Sequence, residues 1–320
     1  MENEKRKNID AKIEEQLRKL RSKYDVMGQD MSSYLDGLLY ANFLTYWDYI
    51  HLDTLLSLQN PKTDFPDEQI FIMYHQITEL YFKLILWEIQ QCSESPSLEG
   101  KIFVGKIKRI NRYLKHLVNS FEIMVEGMEK EQFLKFRMTL LPASGFQSVQ
   151  YRMIEFRATP LRNLLSKEFS ETHLSNLPIE ETFSYLYWQQ GASELKSGKK
   201  TLTLIKFEEK YKEPLIQLIH EMQTKNLWSL FLKSVKSGAE EVEAVEALRT
   251  MDELMNVQWP LSHYKSAARY LQRDPEVISA TGGTNWQKYL PPRFQKIIFF
   301  PELWTQSEKK EWGKAYFMKE

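Results

Sequence analysis

The chain has 320 residues, with 43 Lys+Arg against 43 Asp+Glu, and a formal net charge of zero. That balance offers no basic excess for a polyanion such as nucleic acid, so a nucleic-acid partner is not expected. A chain this long buries roughly 75% of its unfolded surface, enough for an apolar pocket without covalent staples. The single cysteine, Cys92, excludes an internal disulfide framework and fits a reducing compartment.

The amino terminus, MENEKRKNIDAKIEEQLRKLRSKYD, is charged throughout, with neither the apolar core of a signal peptide nor the acid-poor bias of a transit peptide. No apolar run approaches the ~18–20 residues of a bilayer span, so the expectation is a cytoplasmic protein with no membrane partner. Ile9, Ile13, Leu17, Leu20 and Tyr24 form a narrow apolar stripe on a charged helix. Such a helix is marginal alone and needs a surface to dock on, its own body or another subunit. We therefore set residues 1–40 apart as a charged amphipathic helix and connector, and read 41–320 as one domain.

The segment ANFLTYWDYIHLDTLLSLQNP is apolar-rich and stops near Pro61. PKTDFPDEQ then reads as a loop in which Asp67 caps the helix carrying FIMYHQITELYFKLILWEI, residues 71–89. Further helices are predicted at about 101–127, 130–138, 146–157, 181–196, 204–235 and 237–273, punctuated by Pro142, Pro178 and Gly238. Strand-like alternation is almost absent, and the 12 glycines are about half the average share of ~7%. The predicted fold class is all-α, a large single-domain helical bundle.

Four constellations could carry chemistry. His75 stands on the apolar 71–89 helix with Phe71 one turn earlier. A lone His there is commonly a core residue bonded to a neighbour; the functional alternative is a neutral imidazole facing a pocket, with Phe71 as a flat wall. In FLKFRMTLLPASGFQSVQYRMIEF, residues 133–156, Ser144 and Gln147 have capping-box spacing, which predicts a helix start at Ser144. Arg137 lies beside Phe133, Phe136 and Leu140, and a guanidinium in apolar company wants a carboxylate, internal or from a ligand. His263 follows Trp259 by four residues in VQWPLSHYKSAARYLQRD, where Pro260 must start or kink the helix. No His or Cys partner has zinc-site spacing, whereas one His alone suits haem iron; the spacing permits haem without showing it. Finally, Gly282 and Gly283 in SATGGTNWQKYLPP form either an anion-approaching or closing loop, or a plain helix C-cap and connector.

Taken in order, LTYWDYIHLDTLLSLQNP, FIMYHQITELYFK, FRMTLLPASGFQSVQYRMIEF, Trp-x-x-x-His at 259–263, TGG at 281–283 and FFPELW at 299–304 resemble the tryptophan 2,3-dioxygenase family. The resemblance runs from about residue 40 to Trp304. It implies an all-α enzyme carrying haem b, usually a homotetramer built as a dimer of dimers, that opens the indole 2,3-bond of L-tryptophan with O2. The product is N-formyl-L-kynurenine, in the first step of kynurenine-pathway catabolism. His263 then matches the axial iron ligand and His75 the distal imidazole that accepts the indole N–H. Phe71 matches the aromatic wall, Arg137 the partner of the substrate carboxylate, and Thr281 the loop contact to the amino-acid end. Ser144 matches a distal-pocket hydroxyl and, with Gly145, borders the cofactor. Tyr46, Tyr49 and Ile50 match a segment that completes a neighbouring subunit's pocket. This chain reads TGGTNW where the family loop commonly reads TGGSSG. Two other readings stand beside this one: a related haem oxygenase acting on another indole, and a non-enzymatic haem- or tryptophan-binding helical protein.

Overall fold

The computed structural model describes residues 2–41, 44–140, 142–166, 177–192, 199–272 and 290–314. Among these the secondary structure is helical apart from isolated bridge residues, such as the antiparallel Leu165–Leu186 pair, which bears out the all-α expectation. The chain divides into two units, Met1–Leu58 and Gln59–Glu320.

In the first unit the charged segment forms one helix, Glu2–Val26, and its Ile9, Ile13 and Leu20 are exposed. Gly28, at φ 63°, takes the left-handed turn that only glycine adopts freely. Asp30 then caps the helix Met31–Leu39, accepting from the backbone N–H groups of Ser32 at 3.0 Å and Ser33 at 3.2 Å. The aromatic segment that follows is broken into two short helices, Tyr46–Tyr49 and Leu52–Leu56, by His51 in the left-handed region at φ 50°. Tyr46 and Tyr49 are 70% and 74% exposed.

The second unit is organised around the helix Pro66–Ser93, which packs against Gly100–Ser120, Val149–Ala158 and Lys130–Phe136. Pro66 stands at the first helical position, where its missing N–H costs nothing. Asp67 lies one residue inside the helix and so is not its cap: its carboxylate accepts from Glu129 N–H at 2.6 Å and secures the start of the Lys130–Phe136 helix instead. The Gly100–Ser120 helix shows why periodicity reads well here. Phe103, Ile107, Ile110, Leu114 and Leu117 recur every three or four residues and each is 0% exposed, while Lys101, Lys108, Arg109 and Arg112 face outward. The buried Glu88 carboxylate ties the two helices together through Lys106 at 3.0 Å and Arg109 at 2.6 Å.

Several predicted helices are shorter or divided. The 181–196 segment becomes Ile179–Thr182, a 3-10 turn and Tyr187–Gly191; 204–235 splits into Leu202–Met222 and Leu227–Ser234, because Asn226 caps the second piece. The 237–273 segment runs as Ala239–Glu253, a π-turn at Leu254–Gln258 and Trp259–Leu271. The π-turn absorbs Pro260, which then occupies the first turn of the His263 helix, where it is tolerated.

Asp252, 0% exposed, fixes this junction. One oxygen accepts from Asn256 Nδ2 at 2.7 Å and Phe299 N–H at 2.8 Å; the other accepts from Phe300 N–H at 3.1 Å and Trp304 Nε1 at 3.0 Å. A single buried carboxylate thus fastens the FFPELW segment to the helix that leads into His263. Replacing Asp252 by Ala leaves four buried donors without their acceptor, each worth about 1–3 kcal/mol when unsatisfied. Urea unfolding of Asp252→Ala is expected to show a loss of at least about 3 kcal/mol. A loss below about 1 kcal/mol would show that the clamp is energetically idle.

Candidate active site

The face of the Pro66–Ser93 helix that carries Phe71, Tyr74, His75, Thr78, Glu79 and Phe82 borders a cavity of about 400 Å³. Phe71 is followed by residues three and four on, and that pattern repeats from Tyr74, His75 and Thr78, so one helical stripe supplies a whole wall. Opposite it, the π-turn and the following helix contribute Asn256, Trp259, His263, Ser266 and Tyr270. The Ala143–Gly145 loop with Phe146 and Ser148, and the Tyr187–Trp188 corner, close the remaining sides.

Both imidazoles are set by the same local bond. His75 Nδ1 lies 2.7 Å from the Phe71 carbonyl oxygen, and His263 Nδ1 lies 3.0 Å from the Trp259 carbonyl oxygen. A carbonyl oxygen only accepts, so in each ring Nδ1 carries the hydrogen and Nε2 keeps its lone pair. Aromatic packing holds the ring planes: Phe71 against His75 at 4.1 Å between centroids, and Phe121 and Trp259 against His263, each at 4.4 Å. Each ring keeps some accessible surface because it faces the cavity, yet both lie deep. Burial pushes His75 below the ordinary imidazole value of 6.5 and drives His263 down to about 4. The neighbouring His75 imidazole contributes a smaller part of that lowering. Two neutral rings, each with an Nε2 that meets no hydrogen-bond partner among the described residues, therefore border one largely apolar space.

A third set of polar groups lies at the Tyr187–Trp188 side. Arg152, 7% exposed, donates from Nη1 to Glu155 at 2.8 Å and to the Tyr187 hydroxyl at 3.1 Å, while Tyr187 O–H donates to the other Glu155 oxygen at 2.5 Å. Glu155 accepts at both oxygens, which requires no proton of its own and fits an ionised carboxylate. The guanidinium is enclosed by the rings of Trp188 at 5.0 Å, Tyr151 at 5.2 Å and Phe146 at 5.6 Å. Burial of the guanidinium disfavours its charge, but the Glu155 carboxylate outweighs that and keeps it firmly protonated.

Of the residues singled out from sequence, Phe71, His75, Ser144, Gly145 and His263 meet in this cavity. Ser144 forms the expected capping box with Gln147, although it opens a 3-10 turn, Gly145–Gln147; Ser148 caps the α-helix Val149–Ala158. A Cβ added at Gly145 would meet no heavy atom within 4 Å, so this edge leaves room for a ligand. Arg137 is 4% exposed in the 3-10 turn Arg137–Leu140 and is not among the lining residues, but Phe133 and Leu140 on either side of it are. Burial lowers its pKa from the ordinary arginine value. Tyr46, Tyr49 and Ile50 belong to the first unit. Thr281 and the rest of the TGGTNW loop lie outside the described residues. Sequence reasoning passed over Arg152, although an Arg three residues before a Glu in an apolar run carries the same signal as Arg137.

The tryptophan 2,3-dioxygenase family profile matches residues 39–272, which span both helices that supply the imidazoles. A tryptophan 2,3-dioxygenase of Ruegeria sp. (strain TM1040) is 28% identical, over 83% of this chain and 92% of that protein. One of Bacillus thuringiensis subsp. konkukian is 29% identical over the same shares, and one of Paraburkholderia phytofirmans is 24% identical over 83% of this chain and 84% of its own. With a match over most of its length and both imidazoles in one cavity, the chain belongs to the tryptophan 2,3-dioxygenase family.

Proposed function

We propose that this chain is a haem b-dependent dioxygenase that opens the indole 2,3-bond of L-tryptophan with O2 to give N-formyl-L-kynurenine, the first step of kynurenine-pathway catabolism. The observation that carries this reading is the pair of neutral, Nδ1-tethered imidazoles facing one cavity in a chain of this family.

The residues present fit haem. His263 would hold the haem iron through its neutral Nε2 lone pair, the ring being oriented by the bond from Nδ1 to the Trp259 carbonyl. Among the described residues no three His, Cys, Asp or Glu side chains cluster to hold a metal, so an iron here would take its other ligands from a macrocycle. The cavity falls within the usual ~300–1,000 Å³ of cofactor and small-molecule sites, and Gly145 leaves one edge open. Bound haem would supply O2 binding and activation at ferrous iron.

The protein's own part is orientation and exclusion of water. His75 Nε2 accepts the indole N–H, because Nδ1 already spends its hydrogen on the Phe71 carbonyl. Phe71, with Phe136 at 5.7 Å behind it, gives the indole a rigid wall. Arg137, set between the lining residues Phe133 and Leu140, is the proposed partner of the substrate carboxylate, with Thr281 at the amino-acid end. Such a pairing discriminates the amino acid from plain indole, since a site built for a carboxylate penalises ligands without one. Ser144 would add a hydroxyl at the cavity edge. We further propose a homotetramer in which Tyr46, Tyr49 and Ile50 complete a neighbouring subunit's pocket; the exposure of Tyr46 and Tyr49 fits that role. A cytoplasmic setting fits the lone, buried Cys92, whose thiol burial pushes up to about 12.

Haem-reconstituted, reduced protein mixed with L-tryptophan in air is expected to form N-formylkynurenine steadily, followed in the near ultraviolet. No product from protein with a good ferrous haem spectrum would move the substrate to another indole. His263→Ala should strip or loosen the haem, whereas His75→Ala should keep it and turn over slowly; the opposite pattern would exchange the two roles. Arg137→Ala should weaken L-tryptophan binding by about 1.5–3 kcal/mol, the range for a charge-assisted hydrogen bond. Unchanged affinity would place the carboxylate elsewhere.

A pH dependence follows from the same imidazoles. Their folded values lie below the ordinary 6.5, so between 6.5 and about 4 the unfolded chain binds more protons than the folded one. The stability these imidazoles contribute is therefore fully present above pH 6.5 and is lost as pH drops toward 4. Urea unfolding of haem-free protein should lose stability more steeply over this window than His263→Leu, by up to about 1.4 kcal/mol per pH unit. Equal slopes would mean His263 is not held neutral.

A further inference from the structure

The walls of the cavity are not held alike. Asp252 pins the π-turn, and the Arg152–Glu155 pair pins the Tyr187–Trp188 corner. The His263 helix is braced by Ser266 Oγ, which donates to the Met124 carbonyl at 3.1 Å, and by Tyr270 O–H, which donates to the Met128 carbonyl at 3.1 Å. Leu290, Pro292, Gln295 and Ile297 supply one more wall, from a single four-residue helix, Pro292–Gln295, and its flanks. Lys296 ends that helix in the left-handed region at φ 49°, which a residue with a β-carbon adopts only with strain.

The two edges of this wall meet different supports. After Ile297 the chain is fastened on both sides: Phe299 and Phe300 donate to Asp252, while Thr159 Oγ1 donates to the Phe299 carbonyl, as does Asn163 Nδ2 at 3.2 Å. Over the helix itself lies the turn that follows Gln306–Lys310. Trp312 is 4% exposed with its ring 4.9 Å from that of Trp304, and it seats Gly313 on the wall. Gly313 has φ 75°, and a β-carbon there would come within 2.8 Å of Pro292 Cβ and 3.0 Å of the Arg293 nitrogen. Glycine is thus needed twice over, for the turn and for the close approach. Lys296 Nζ donates to the Lys310 carbonyl at 3.3 Å, a second tie between the same two pieces.

We propose that the turn Lys310–Gly313 is a latch, which holds the Leu290–Ile297 wall closed and whose release lets that wall swing about the Phe299–Phe300 clamp. Opening relieves the strain at Lys296 and leaves the clamp intact. It also uncovers little new surface, because Arg293 and Phe294 already face solvent. Local opening follows the region of least buried support, and here that region borders the cavity. The latch therefore sets how fast a large flat ligand enters or leaves. That this ligand is haem rests on the reading above; the latch rests on the wall and the turn.

Pro292→Cys with Gly313→Cys locks and unlocks the wall in one molecule. The two β-carbons need to part by only about 1 Å to reach the ~3.5–4.5 Å of a disulfide, and the remaining cysteine, Cys92, is buried. In haem-free protein the oxidised pair should slow amide hydrogen exchange over 293–297 at least tenfold against its dithiothreitol-reduced form, with 299–304 unchanged. Gly313→Val should speed exchange over 293–297 at least tenfold against the unaltered chain. Lys296→Met, which loses only the bond to Lys310, should speed it two- to threefold. Uptake of free haem should be at least tenfold slower in the oxidised pair than in the reduced. Failure of the thiols to pair in folded protein, equal exchange in the oxidised and reduced forms, or equal uptake would overturn the latch. Unchanged exchange in both Gly313→Val and Lys296→Met would do so as well. Protein that takes up no haem in either form would refute the cofactor reading instead, and the exchange rates would still decide the latch.

Discussion

A hydrogen bond from an imidazole Nδ1 to the carbonyl four residues earlier decides what this cavity can do. It occurs twice, from His75 to Phe71 and from His263 to Trp259, and each time it leaves Nε2 as a lone pair turned from the backbone. Without it each ring would be free to exchange tautomers, and neither a ligand nor an acceptor would be preorganised. Desolvation reinforces the choice by keeping both rings uncharged, His263 to about pH 4. The two rings then diverge by company. Trp259 and Phe121 grip His263, while Phe71 and Tyr74 bracket His75.

Holding those rings in register is the task of the surrounding helices. The π-turn at Leu254–Gln258 shifts the helix phase just before Trp259, and Asp252 pins that turn to the FFPELW segment through Asn256, Phe299, Phe300 and Trp304. The Arg152–Glu155–Tyr187 triad does similar work on the far wall. A buried pair of this kind contributes little net stability, but losing one member strands a charge, so it fixes geometry more than it adds free energy.

Helical periodicity made much of this legible in advance. The Gly100–Ser120 helix, with an apolar residue every three or four positions, was plain because one face is core and the other solvent. Phe71, His75, Ser144, Gly145 and His263 were legible as a site only through ordered motifs taken together, and they do meet in one cavity. What periodicity missed has physical causes. Asp67 looked like a cap, but Pro66 starts the helix one residue earlier and frees that carboxylate for Glu129. The break at Asn226 and the π-turn before Pro260 depend on tertiary packing and local capping that a period of 3.6 does not encode. Arg152 was passed over although Glu155 lies three residues on in the same helix; only Tyr187 is brought to it by a distant turn.

The central claim is that both imidazoles are neutral and carry their hydrogen on Nδ1. Nitrogen-15 NMR of histidine-labelled, haem-free protein at pH 7 tests it directly, with His75→Gln and His263→Gln to assign the signals. Two slowly exchanging rings are expected, each with a protonated Nδ1 and an unprotonated, pyridine-like Nε2. A hydrogen on Nε2 of either ring, or a charged imidazolium at that pH, would contradict it, because that ring could then neither ligate iron nor accept an indole N–H.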